Sequence, residues 1–96
     1  MTIEQWLRSK LYGNGLFNDG AIDSVIESTK ADENNAGIKW EDSMDDFSPQ
    51  FRNLLFVVTC RYALKWIDAN LPGAFYRSLF VTGGQYVKDS SENPQV

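Results

Sequence analysis

The segment from Ser48 to Leu71 constrains the fold of this chain more than any other, because it is largely apolar and contains no glycine. Its only proline, Pro49, falls at the first helical position, where the missing N–H costs nothing. Ser48 precedes it and can accept a hydrogen bond from the free N–H groups of the first turn. We therefore predict one long helix over residues 49–71.

Apolar residues follow this helix at steps of three and four, the spacing that places side chains on one helix face. They form two stripes, Phe51, Leu54, Leu55, Val58, Tyr62 and Trp66 in the first and Phe56, Cys60, Ala63 and Ile67 in the second. Only Arg61, Lys65 and Asp68 make a polar edge. We expect the helix to be covered on most of its circumference, and we expect Val58→Asp to unfold the protein by burying a charge.

Two shorter helices are predicted before the long one. Thr2 begins a capping-box pattern, and the glycines that follow favour a helix over residues 2–12. Asn18 or Asp19 can begin a second helix over residues 19–31, which has a narrow apolar face. The short connection between the two favours a helical hairpin.

The chain after Leu71 contains Pro72 and Gly73, which together predict a change of direction. A short aromatic helix is expected over residues 73–80, followed by a flexible tail over residues 83–96. The resulting fold class is all-α. We predict a small bundle of three to five helices around one long central helix, in a single domain over residues 1–82.

The segment over residues 32–47 is predicted to be irregular: Ile38 and Trp40 are compatible with a short extended piece, whereas Trp40, Met44 and Phe47 have the spacing of successive helical turns. We expect its apolar side chains to fasten it to the core. It carries six carboxylates against one lysine, whereas the chain as a whole has a net charge of −4. Nucleic acid is bound by clustered lysine and arginine, and this sequence has no such cluster. An acidic surface that mimics DNA would need more charge than −4.

The sequence offers no catalytic, cofactor-binding or metal-binding residues. It has no histidine, and its one cysteine, Cys60, lies between apolar neighbours in the predicted helix. Residues 32–43 match a calcium loop at three positions, but Ser43 stands where that loop requires a bidentate glutamate. The second helix is too acidic to approach DNA as the recognition helix of a helix-turn-helix. We therefore predict a protein that is not an enzyme.

The location predicted from the sequence is cytoplasmic. The chain has no apolar run long enough to span a membrane and no basic-then-apolar leader. A single cysteine cannot form an internal disulfide, which fits a reducing compartment. No small-molecule substrate is evident.

The predicted function is self-association or binding to another protein through apolar helix surfaces. The candidate interface residues are Tyr62, Trp66, Phe75, Tyr76 and Phe80, because aromatic residues dominate interface energetics. The alternative hypothesis is a small regulatory or ligand-binding module. Its pocket would lie between the long helix and residues 32–47 and would use Trp40 and Trp66.

The layout of the chain also resembles that of small phage or prophage head–tail connector (adaptor) proteins. The similar features are the capped helix TIEQWLRSKL at residues 2–11, the glycine turn, and the helix AIDSVIE at residues 21–27. The resemblance implies that the helix over residues 49–71 packs into a ring with other copies, in which case the protein is located in a phage particle. It transfers no catalytic residues, and neither the acidic segment nor the aromatic residues 75–80 match it.

Overall fold

A computed structural model describes residues 1–13 and 15–84. These residues form an all-α fold, as predicted, and the one extended contact among them is an isolated bridge between Thr2 and Ser43. The four helices are α1 (Ile3–Tyr12), α2 (Asp19–Ala31), α3 (Pro49–Asn70) and α4 (Ala74–Ser78). None of the helices in this part of the chain is long and apolar enough to cross a membrane.

Side-chain caps at their N-termini explain why the three longer helices begin where they do. The Thr2 hydroxyl accepts from the Gln5 N–H while the Gln5 side chain accepts from the Thr2 N–H, which completes the predicted capping box. Asn18 caps α2, and Ser48 caps α3 by accepting from the N–H of the third helical residue. Each cap satisfies a backbone donor that the helix itself leaves free.

The core lies where α2 packs against both α1 and α3. Its fully buried members include Ile3, Leu7 and Leu11 of α1, which share one helix face. Two buried polar residues, Thr29 and Thr59, donate their hydroxyls to the carbonyls four residues earlier in their own helices. The core therefore contains buried hydroxyls whose hydrogen bonds are satisfied locally.

The long helix is covered on most of its circumference, as predicted, but one edge of it stays exposed. The structure buries one stripe of α3, which consists of Leu55, Thr59, Cys60, Ala63 and Ile67. Besides this buried stripe, five of its apolar residues are partly buried against the core: Phe51, Phe56, Tyr62, Leu64 and Trp66. Val58 is partly exposed and lies outside the core, while Leu54 and Val57 are exposed. The reason is geometric: α2 packs along α3 and Trp6 of α1 meets Phe56 of α3, whereas the described residues hold no further long helix for the remaining side.

The acidic segment is fastened to the N-terminus of α1 by backbone hydrogen bonds. The N–H groups of Ile3 and Glu4 donate to the carbonyls of Asp42 (3.0 Å) and Trp40 (3.3 Å). The Met44 N–H donates to the Met1 carbonyl at 2.9 Å. The segment also forms two short 3₁₀ helices, Glu33–Asn35 and Met44–Asp46. The second of these helices therefore has a fixed position despite its charge.

The chain turns after α3 at Gly73, whose φ of 76° lies in the region that favours glycine. Beyond α4, a π-helical segment continues over Leu79–Gly84, so the helical region extends past the predicted end at Phe80. The predicted flexible tail over residues 83–96 therefore overlaps this helical segment at Gly83 and Gly84. Its remaining residues, 85–96, lie outside the described residues.

The burial pattern of α3 predicts a large difference in the effects of two substitutions. Ile67→Ala removes a fully buried side chain and should lower the free energy of unfolding by about 2–5 kcal/mol. The matched control Val58→Ala truncates a partly exposed side chain, and we expect a loss below about 1 kcal/mol. Urea unfolding followed by circular dichroism measures both. Equal losses in the two variants would contradict the assignment of the buried face.

Candidate association surfaces

The outward face of α3 carries an exposed stripe that is apolar near its N-terminal end and charged further along. Leu54 is 67% exposed and Val57 is 50% exposed, values that are high for large aliphatic residues. The members of this α3 stripe follow steps of three and four. They are Gln50, Leu54, Val57, Arg61 and Lys65, and all are exposed. Neither Arg61 nor Lys65 forms an ion pair with any residue in the described part of the chain.

A second apolar surface lies on the helical segment that follows α3. Phe75 is 66% exposed, and Leu79 and Val81 are each 41% exposed. The Phe75 ring meets the Tyr76 ring edge-on at 5.3 Å between centroids. An ion pair of 2.7 Å between Arg77 and Asp68 joins this segment to α3. We call Phe75, Leu79 and Val81 the C-terminal surface.

The structure separates the candidate aromatic residues that the sequence grouped together. Phe80 is 1% exposed and packs edge-on against Phe17 at 5.8 Å, so it belongs to the core and is not available to a partner. Trp66 packs on the same Phe17 ring at 5.5 Å and is partly buried, as is Tyr76. Of the five candidates, Phe75 has the largest exposed side chain fraction.

Tyr62 connects α3 to the end of α2. Its hydroxyl donates to the Asp32 carboxylate at 2.6 Å. This bond, followed by the one from the Asn34 N–H, lowers the pKa of Asp32 below its ordinary value. The same contact with Asp32 raises the pKa of Tyr62, because the phenol is a donor only while protonated. Tyr62 therefore has a structural role.

Ion pairs join α1 to α2. Arg8 donates to Glu4 at 3.1 Å and to Asp23 at 2.7 Å, and Lys30 forms a further ion pair with Glu4. The hydrogen bond from Lys30, opposed by partial burial and supported by Arg8, lowers the pKa of Glu4. Every charge in this network has a partner within it, so the network holds the two helices of the hairpin together.

Grooves occur on both sides of α3. The predicted groove between α3 and the acidic segment has a volume of about 410 Å³ and is lined by Ile38, Phe47 and Phe51 together with polar residues. Neither Trp40 nor Trp66 lines it. Trp66 instead lines a groove of about 360 Å³ between α2 and α3. The two tryptophans of the ligand-binding hypothesis therefore do not share a pocket.

Groups for metal or nucleophilic chemistry do not converge in the residues that the structure describes. No cluster of three or more aspartate, glutamate or cysteine side chains there could hold a metal ion. Asp32, at the first position of the rejected calcium loop, instead accepts from Tyr62 and from the Asn34 N–H. Cys60 is buried within α3.

Sequence reasoning missed Leu54 and Val57 as surface residues because both lie in an apolar run. One signal could have identified them. The polar edge formed by Arg61 and Lys65 continues towards the helix start at steps of three and four, and it then passes through Val57 and Leu54. Residues on that line share the solvent-facing side.

The Tyr62–Asp32 bond predicts a pH-dependent contribution to stability. A lowered pKa of Asp32 means that the stabilisation is present at neutral pH and is lost as pH falls through the acidic range below about 4. The raised pKa of Tyr62 means that it is also lost in alkali, as the phenol ionises. Tyr62→Phe should therefore destabilise the protein at pH 7, and the deficit should shrink progressively as the pH falls below about 4. Urea unfolding over a series of pH values between about 7 and about 2 tests this, and a deficit that stays constant over the series would contradict it.

No protein-family model matches the chain, and neither a curated protein nor a solved structure matches it. The resemblance to connector proteins thus stays a prediction from the sequence, and the surfaces described above carry the functional argument.

Proposed function

We propose that this chain is a non-enzymatic structural protein that assembles with copies of itself through apolar helix surfaces. The observation that carries the proposal is the exposure of five large apolar side chains on α3 and the helical segment after it. They are Leu54, Val57, Phe75, Leu79 and Val81. Single exposed apolar residues are ordinary, whereas several on adjacent helical segments indicate an interface.

The ion pairs of α1 and α2, the burial of Cys60 and the exposed residues of α3 support assembly more than they support catalysis. The fully satisfied ion pairs of α1 and α2 and the buried Cys60 leave little for catalysis to use. The exposed apolar residues lie on α3, the longest helix, which is a rigid element suited to presenting a surface. A role as a phage head–tail connector component is a more specific version of this proposal, and it rests on the sequence resemblance alone.

Light scattering after gel filtration, over a series of concentrations, tests the proposal. We expect the parent chain to have a mass above that of one chain, 10.9 kDa, at high micromolar concentration. The quadruple variant Leu54→Ser/Val57→Ser/Phe75→Ser/Leu79→Ser should be monomeric, since it removes most of the exposed apolar area. The matched control Tyr12→Ser alters a residue that is 69% exposed elsewhere and should assemble as the parent does. A parent that stays monomeric throughout would refute self-association.

A further inference from the structure

The α3 stripe has an arrangement of charge that selects one way of pairing. Its apolar part, Leu54 and Val57, is followed by two exposed cations, Arg61 and Lys65. The chain just before α3 carries exposed carboxylates at Asp45 and Asp46, in the second 3₁₀ helix. None of these four charged side chains forms an ion pair within the described part of the chain. Along the chain, exposed carboxylates therefore precede the apolar centre, and exposed cations follow it.

The two charged groups are too far apart to pair within one molecule. Thirteen residues of helix separate Ser48, the cap of α3, from Arg61. At about 1.5 Å per residue this places them roughly 20 Å apart along the axis. An arginine side chain does not extend over that distance, so these two charged groups do not pair with each other within one molecule. In a monomer all four side chains are exposed to water, and Arg61 adds to the larger effect of the Tyr62 hydrogen bond in lowering the pKa of Asp32.

We propose that two copies of the chain pair through their α3 stripes as an antiparallel two-fold dimer. This inference rests on the proposed self-association. It adds that the α3 stripe is the surface used, and it specifies the relative direction and register of the two α3 helices. In a two-fold interface the same surface meets itself: a residue on the axis meets its own counterpart, and a residue before the axis meets one that lies equally far after it. Leu54 and Val57 then pack against the same residues of the second copy, close to the axis.

The charges fix the register. Arg61 lies seven residues after Leu54, about 10.5 Å along the helix, and Ser48 lies six residues before it, about 9 Å. A two-fold axis near Leu54 therefore brings Arg61 and Lys65 of one copy level, along the helix axis, with the chain just before Ser48 of the other, which carries Asp45 and Asp46. A parallel pair would instead place Arg61 against the second copy's Arg61, which is repulsive. The antiparallel arrangement brings opposite charges together on both sides of the apolar centre.

Reversing the charges tests this register. One variant carries Arg61→Glu/Lys65→Glu and the other carries Asp45→Lys/Asp46→Lys. Each variant alone should dimerise at least about tenfold more weakly than the parent, because like charges then face each other on both sides of the axis. An equimolar mixture should regain the dimer, since every facing pair is again opposite in sign. The two variants move the net charge of the chain in opposite directions, so a defect common to both is not an effect of total charge.

Sedimentation equilibrium of the parent, each variant and the mixture gives the dissociation constants, with circular dichroism melting to show that every variant is folded. Variants that dimerise as strongly as the parent, or a mixture no stronger than its components, would overturn the α3 dimer. Self-association by the C-terminal surface would then remain, and Phe75→Ser/Leu79→Ser would remove it. A parent that is monomeric would overturn both this inference and the proposed function.

Discussion

Burial of a single stripe of α3 against the α1–α2 hairpin is the interaction on which the rest of this structure depends. The stripe runs from Leu55 to Ile67, and its members are almost wholly excluded from water. Because α1 and α2, the other long helices among the described residues, pack on that side, α3 is left with one buried face and one free face. The free face is therefore a consequence of the topology, and its apolar residues are the feature that a soluble monomer does not need.

The backbone of the acidic segment is held in place by the N-terminus of α1 together with a few side chains of the segment itself. Ile3 and Glu4 donate their N–H groups to carbonyls of the segment, and buried Met44 anchors the second 3₁₀ helix in the core. With the backbone fixed, Asp45 and Asp46 keep a defined position in the chain just before α3. A charge that is positioned in this way can select a partner, whereas one on a mobile loop loses most of its effect to ordering entropy.

Local chemistry made much of the fold predictable. The capping box at Thr2, the cap at Ser48 and the turn at Gly73 are decided by a few neighbouring residues, so the helix positions could be predicted. What could not be predicted depends on contacts between distant segments. Phe80 reaches Phe17, and the side of α3 that is buried depends on where α2 lies, so an apolar run alone could not tell Leu54 from Leu55.

The central claim is that α3 has one face for the core and one for a second copy. Distances between spin labels placed on cysteines at Gln50 and, in a separate variant, at Lys65 test it most directly, because Cys60 is buried and should stay unlabelled. An axis near Leu54 predicts that the two copies' labels lie close together at position 50 and roughly 20 Å further apart at position 65. Equal separations at the two positions, or no intermolecular distance at all, would contradict the account.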